Sequence, residues 1–485
     1  MNNLKEKTIS GIIWSFADNS LTQIITFVVG IILARLLSPA EFGLVGMIGI
    51  FIAVGQAFVD SGFNQALIRK QDCTSTDYST VFYFNLAVSI IFYIILFFSA
   101  GYISDFFKEP KLIDILRIVS LSILFNAFGL VQQTQLTKEI KIKVQTKISV
   151  TANISSGIIS VLMAYNGFGV WSLVFRNLIH SFITNLSLWY FNKWKPALTF
   201  SFNSFKEMYA FGSKLFLSGL LNRIFENIYY FAIGKYFSAE QLGYYTRSDT
   251  FARLPSTNIN GVVQRISYPV LVKLQNDDEA LKKALKKLIK STMFITMFFM
   301  VLMASSAESL IITLIGEKWM QSVLYLQLLC FSLILFPLQS LNLNMLNVKG
   351  RSDLFLRLEI IKKLLIVPVV LIGIIFGIKI MLFAMIINSI ISYYLNSYYN
   401  KMLINYSITE QLKDILPSII VVSISGTLVF TLGQILSFNY LILLIIQSIS
   451  GLILVILLSE FLKLEPYLEI KNIITDKIWI IKERI

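Results

Sequence analysis

The sequence predicts an all-α membrane protein: about 14 transmembrane helices in two six-helix pseudo-symmetric lobes around a central cavity, followed by a C-terminal helix pair. Three observations lead there. Hydrophobic stretches follow one another from Thr8 to about Ser459, and most reach the roughly 20 residues a helix needs to cross the hydrocarbon core. The short polar links between them carry Lys and Arg almost only at every second turn, the asymmetry that sets orientation. Finally, an outer-turn sequence near the first span recurs where a second half would begin.

The composition agrees: 56% hydrophobic residues, 14% charged residues and a mean hydropathy of +0.71 lie far from the soluble average. No single soluble core absorbs that much apolar surface. The net charge of +14 would suit nucleic acid, but the placement of the cations argues for topology instead. With the N-terminus inside, alternate links hold Lys5 and Lys7, Arg69 and Lys70, Lys138 to Lys147, Lys193 to Lys214, Lys273 to Lys290, Lys349 to Lys363, Lys401 and Lys413. Roughly 30 Lys and Arg fall on that side, about 7 on the other and about 5 within spans. Both termini are therefore expected in the cytoplasm, and no nucleic-acid partner is expected.

In chain order the expected spans are roughly 10–37, 42–67, 78–103, 112–136, 148–165, 170–190, 212–236, 243–270, 291–315, 321–347, 360–377, 380–400, 415–436 and 439–459. The first starts within ten residues of Met1 and runs long without a small-residue cleavage site, as a retained signal anchor does. The outer links 165–169, 377–379 and 437–439 are little more than turns, too small to house an enzyme's cleft. Two cytoplasmic segments are richer. From Asn276 to Lys290, Leu281, Leu285, Leu288 and Ile289 oppose Lys282, Lys283, Lys286, Lys287 and Lys290, a basic amphipathic helix expected on an anionic leaflet. The tail from Phe461 to Ile485, with Trp479, reads similarly. The expected divisions are an N-terminal lobe over 1–200, a second lobe over 201–404, and a helix pair with its tail over 405–485.

The repeat behind the two lobes is short. Ala34-Arg35-Leu36-Leu37-Ser38-Pro39-Ala40-Glu41-Phe42-Gly43 aligns with Gly234-Lys235-Tyr236-Phe237-Ser238-Ala239-Glu240-Gln241-Leu242-Gly243, placing a cation, a Ser and a Gly in equal positions. The first and seventh spans run the same way, so these are parallel repeats.

Intramembrane ionisable residues are costly and usually face a bundle interior or an aqueous path. On the eighth span Thr246, Thr250, Arg253, Thr257, Asn260 and Gln264 recur every three or four residues, giving one polar face with Arg253 near the midplane. Arg223, Glu226, Asn227 and Tyr230 share a face of the seventh, although Arg223 and Glu226 sit at the spacing of a simple i, i+3 pair. Ser15, Asp18, Asn19, Thr22 and Thr26 line the first span, Gln56, Asp60 and Asn64 the second, and Arg176, Asn177, His180 and Thr184 the sixth. Interhelical hydrogen bonding alone would also produce such faces. Because the guanidinium fork stays charged and grips phosphate with two parallel bonds, Arg253, Arg223 and Arg176 are the candidate groups for an anionic cargo. Asn260, Thr257, Asp18 and Asn19 accompany them, while Arg117 and Arg265 lie nearer the membrane surfaces and can snorkel. Asp18, Asp60 and Glu226 are candidates for ion coupling, a role that pairing with Arg would remove. His180, the only histidine, has no metal-ligand partner in the sequence, and Cys73 and Cys330 have no disulfide or metal spacing. No G-x-x-x-x-G-K-[ST] or G-x-S-x-G motif occurs, so neither cofactor, metal nor enzymatic activity is expected.

Together, Gly11-Ile12-Ile13-Trp14-Ser15, the turn Ala34 to Gly43, Asp60-Ser61-Gly62-Phe63 with Ala66-Leu67-Ile68-Arg69, Gly169-Val170-Trp171-Ser172-Leu173-Val174, Gly316-Glu317-Lys318-Trp319 and Lys349-Gly350-Arg351-Ser352-Asp353 resemble the polysaccharide transporter branch of the MOP exporter superfamily. The resemblance, to Wzx-like O-antigen flippases, runs over nearly the whole chain. It implies fourteen helices in two lobes with alternating access, in the bacterial inner membrane. It also implies a lipid-linked oligosaccharide carried on undecaprenyl diphosphate, surrounding membrane lipids, and the polymerase and glycosyltransferases of the same pathway as partners. A MATE-like cation-coupled drug exporter shares the fold and is the alternative; it would favour a smaller site with an unpaired carboxylate. A polymerase or ligase would need a larger outer loop, and a passive scaffold would leave the polar faces unexplained.

Overall fold

A computed structural model of the chain describes the backbone of residues 2–482 and the side chains of residues 14–472 and 475. Lys5, Lys7, Gly11, Ile12, Ile13 and Trp479 lie outside the described side chains, and Ile485 lies outside the described chain. The described secondary structure is helical throughout, and the chain falls into two compact units, Met1–Gly243 and Tyr244–Ile485.

The first unit holds α1 (Asn2–Leu36), α2 (Pro39–Asp60), α3 (Phe63–Arg69), α4 (Ser75–Phe107), α5 (Leu112–Val119), α6 (Leu121–Lys138), α7 (Ile142–Tyr165), α8 (Val170–Phe191), α9 (Phe202–Tyr236) and the first turns of α10 (Ala239–Lys273). The second takes the rest of α10, then α11 (Asp278–Ser305), α12 (Ala307–Ile315), a 3-10 turn, α13 (Gln321–Leu333), α14 (Phe336–Val348), α15 (Ser352–Phe376), α16 (Ile378–Tyr398), α17 (Asn400–Ile404), α18 (Ile408–Ile435), α19 (Tyr440–Phe461) and α20 (Glu465–Lys482). Among the described residues, ten segments are helical, long and apolar enough to cross a membrane. The other four expected spans coincide with α8, α9, α10 and α15, whose apolar run is interrupted by Arg176 and His180, by Arg223 and Glu226, by Asp249 and Arg253, and by Arg357, Glu359, Lys362 and Lys363. Arg176, Arg223 and Arg253 thus sit on helices that apolarity alone would miss.

Helix starts follow local chemistry. Thr74 and Asp77 bond reciprocally, Thr74 N to Asp77 Oδ2 at 2.8 Å and Asp77 N to Thr74 Oγ1 at 3.2 Å, opening α4 with a capping box. Asp277 and Ser407 cap α11 and α18 by accepting from the amides of Ala280 and Glu410. Each such cap stabilises by about 1 kcal/mol.

In the first unit α7 packs between α1 and α8, and α2 lies antiparallel along α9. Phe51 meets Phe231 at 6.4 Å, Phe58 meets Phe216 at 4.8 Å, and Gly62 abuts Gly212. Gly62 is required twice over: its φ is +71°, and a Cβ there would strike the Gly212 carbonyl. Polar side chains pair across helices inside this apolar packing, with Asn126 donating to Gln56 at 2.9 Å and Asn192 to Gln135 at 2.7 Å. At the end of α3 Lys70 bridges Glu207 at 2.9 Å and Asp77 at 3.2 Å. The hydrogen bond that Lys70 donates to Glu207 raises its pKa, burial opposing it. The stability this adds is therefore complete at neutral pH and lost only as pH climbs past the usual lysine range.

The second unit corrects one expectation. The basic segment opening α11 does not lay its apolar face on a leaflet, because Leu281, Leu285 and Ile289 are fully buried against Tyr406 and Ile415. Four of its five lysines are neutralised by protein: Lys282 pairs with Glu410 at 2.8 Å, Lys286 with Asp414 at 3.0 Å, Lys287 with Glu469 at 3.0 Å and Lys290 with Glu465 at 2.5 Å. The partners come from α18 and α20, so the basic stripe holds the C-terminal helices in place. Asp414 is the hub, accepting also from the buried Tyr406 hydroxyl at 2.8 Å. Burial and that carboxylate push the Tyr406 phenol upward, and the resulting stability declines only above about pH 10. Asp414→Ala should leave the Tyr406 hydroxyl buried without its acceptor and cost about 2 kcal/mol, a fall of several degrees in melting temperature measured on purified protein. An unchanged melting curve would show that the hub carries no stability.

Candidate functional site

The repeated turn is built for packing. Ser38 N and Oγ both donate to Glu41 Oε2, at 2.7 and 2.9 Å, and in the second copy Ser238 Oγ accepts from the Gln241 amide at 3.1 Å, so the shared Ser is a helix cap in each. The shared Gly marks a reciprocal contact. A Cβ on Gly43 would strike the Ala239 carbonyl, and a Cβ on Gly243 would strike the Pro39 carbonyl. The pairs 43/239 and 243/39 exchange under the same 200-residue offset that aligns the repeats, as a two-fold contact requires. Gly169, from a third motif, has φ +55° and lies against Glu41. These motifs set backbone geometry.

The predicted charges are distributed as follows. Asp18 on α1 is half-buried, with Oδ1 unbonded, and lies beside Ser149 of α7. Thr26, two turns on, bonds Asn153 at 3.4 Å, so part of the α1 polar face is turned to α7. Asn19 is exposed. Asp60, at the end of α2, has a buried Oδ1 without a hydrogen bond and lies within electrostatic reach of Arg223 on α9. Arg223 itself bridges Glu226 at 3.4 Å, both side chains 61% exposed, and Asn227 reaches Gly49 of α2. The structure therefore gathers Asp60, Arg223, Glu226 and Asn227 along one α2/α9 seam. Elsewhere in this unit Arg176 and His180 face each other at i, i+4 on α8, both half-buried. Arg176 makes no ion pair among the described residues.

In the second unit Arg253 Nε donates to Asp249 Oδ2 at 2.7 Å, with the arginine 44% exposed and the carboxylate 2% exposed. Thr257 turns its hydroxyl back to the Arg253 carbonyl at 2.7 Å, and Asn260 keeps a buried Oδ1 unbonded. Gln264 has joined Ser340 and Asn344 of α14, so the lower end of the stripe is interhelical bonding. Two features were readable but not singled out: the i, i+4 spacing of Asp249 and Arg253, and Pro255 inside α10, a residue with no amide hydrogen to give the helix. Chemically each of Arg176, Arg223 and Arg253 offers a guanidinium fork of the kind that grips phosphate oxygens.

Among known proteins, the sequence pattern of the family described as polysaccharide biosynthesis protein matches residues 32–324. The teichuronic acid biosynthesis protein TuaB of Bacillus subtilis is 24% identical over 356 residues, 73% of this chain and 74% of that protein. The lipopolysaccharide biosynthesis protein WzxC of Escherichia coli is 24% identical over 373 residues, 76% of each. Among solved structures, the lipid II flippase MurJ in an inward closed conformation superposes with a TM-score of 0.75 over 94% of this chain and 98% of that one, at 18% identity. The chain shares that fold.

Proposed function

This chain belongs to the polysaccharide biosynthesis protein family, and from that membership and its intramembrane arginines we propose that it moves undecaprenyl-diphosphate-linked oligosaccharide units across the bacterial inner membrane. The units feed a cell-surface polysaccharide: O-antigen, capsule or exopolysaccharide. The relatives are named for biosynthesis of such polymers, and the shared fold is that of a lipid-linked cargo carrier. The protein is a multi-pass membrane carrier with both termini in the cytoplasm, and it makes or breaks no covalent bond. Its partners are the lipid-linked oligosaccharide, membrane lipids, and the polymerase and glycosyltransferases of the pathway.

The physical task is the transfer of a diphosphate and several sugars through hydrocarbon, prohibitive when polar groups lose water without replacement. Alternating access replaces that water with protein groups while the polyprenyl tail stays in lipid. The observation that carries this reading is Arg176, a half-buried guanidinium on α8 without an ion pair among the described residues. Such a cation is available to a diphosphate. Arg223 and Arg253, already paired with Glu226 and Asp249, would exchange a carboxylate for phosphate as cargo arrives.

Deletion of the gene should cause lipid-linked units to accumulate on the inner leaflet and the surface polymer to disappear. Persistence of the polymer, in a strain with no second translocase, would refute the proposal. In the complemented strain Arg176→Ala should lower export about tenfold, the loss of one charged hydrogen-bond donor set, with the melting temperature of the purified protein little changed. Normal export by this variant would remove Arg176 from the cargo path.

A further inference from the structure

A cavity of about 190 Å³ opens in the second unit where α11, α12, α13 and the α18–α19 turn meet. Its floor is tied across helices: the buried Gln447 of α19 accepts from Ser309 Oγ of α12 and donates to the Val429 carbonyl of α18 at 3.2 Å. Gln327 of α13 donates to the Ala304 carbonyl of α11 at 3.2 Å. The opening is thus a constructed feature held by five helices.

Its chemistry is one-sided. Glu308 is the only charged residue in the lining, which contains no Lys, Arg or His. Glu308 is half-buried, makes no ion pair among the described residues, and receives one long hydrogen bond, from Tyr440 Oη at 3.5 Å. The negative charge of Glu317 also acts on Tyr440. Phe430, Phe438 and Tyr440 supply aromatic surface beside the carboxylate. An anion is repelled here, and an acyl chain would strand the Ser and Gln groups. A carboxylate beside aromatic rings suits an ammonium group. At ~30 Å³ per water, the volume equals about six waters, enough for a two-carbon ammonium head and too small for an oligosaccharide.

The distribution of basic loops in the sequence assigns the 437–439 turn to the outer side, and the turn joins the ends of two membrane-length helices, α18 and α19. We propose that this cavity binds a primary ammonium group, that of an ethanolamine phospholipid in the outer leaflet, with Glu308 as counter-ion and the Tyr440 hydroxyl and ring as second contact. The assignment is independent of what the protein carries, so its failure would leave the transport reading intact.

Native mass spectrometry of the purified full-length protein tests it. Titrated with phosphatidylethanolamine, the protein should retain a lipid adduct that phosphatidylglycerol at equal concentration does not form. Glu308→Gln should weaken retention about tenfold, the loss of a charged partner, and Tyr440→Phe severalfold, with both melting curves unchanged. Displacement of the adduct by free ethanolamine would show that the ammonium alone suffices; retention despite it would show that the lipid is the ligand. Equal retention of both lipids, or full retention by a folded Glu308→Gln protein, would overturn the proposal. Should Glu308→Gln unfold the protein, the comparison of the two lipids on the natural chain and the Tyr440→Phe variant still decide it.

Discussion

Replacing Gly43 by Val should abolish export and deplete the folded protein from the membrane, and Gly243→Val should do the same. Each side chain would be driven into a backbone carbonyl of the opposite repeat, Ala239 in one case and Pro39 in the other. A backbone carbonyl at the start of a helix cannot rotate away as a side chain can. The helices must separate, at a cost on the order of 3 kcal/mol or more, and the whole turn with its Ser38 and Ser238 caps moves with them. Gly219→Ala is the control, since nothing lies within 4 Å of a Cβ there and Ala favours a helix over Gly by about 1 kcal/mol. Membrane abundance, melting temperature and surface polymer are the measurements. Tolerance of Val at both Gly43 and Gly243 would mean that the reciprocal contact does not exist.

The second large effect concerns Arg253. Arg253→Ala withdraws a guanidinium 2.7 Å from a carboxylate that is only 2% exposed. Loss of one partner from a fully buried pair costs about 3–5 kcal/mol; with Arg253 44% exposed, solvent screening reduces this to roughly 2 kcal/mol. Export should fall far more than after Arg265→Ala, which removes an exposed cation. The double variant Asp249→Asn with Arg253→Ala separates the two roles of the arginine. It should recover most of the melting temperature and none of the export, because a neutral amide tolerates burial but supplies no charge to the cargo. Recovery of both together would make Arg253 a structural residue. Equal, mild effects of Arg253→Ala and Arg265→Ala would remove it from the transport path.

Much of the fold was legible because membrane insertion imposes a local rule: each span must be apolar over its own length and satisfy its own backbone. That rule placed the ten fully apolar segments, and helices also stand at the other expected spans, α8, α9, α10 and α15, where charges break the run. The repeat was legible as well, since a cap and a close approach demand Ser and Gly in place. Charge partners were harder. Arg223 and Glu226, or Asp249 and Arg253, lie within a turn of each other, so helical spacing exposes them. The lysines of α11 read as a leaflet anchor because their neutralising partners, Glu410, Asp414, Glu465 and Glu469, lie more than a hundred residues along the chain. Sequence order holds no record of which surfaces later become neighbours.

The amino-acid order alone determined that the chain is a helical membrane protein, how its cations are distributed between alternate loops, and that its two outer turns repeat, all consequences of chemistry acting within a span or a turn. Only the tertiary structure decided that Gly43 and Gly243 interlock with each other's helix starts, that the basic face of α11 is spent on protein carboxylates, and that Glu308 stands in a cavity without a counter-ion among the described residues. Those outcomes depend on packing between residues far apart in the chain, where the energy of a side chain is set by what comes to lie against it.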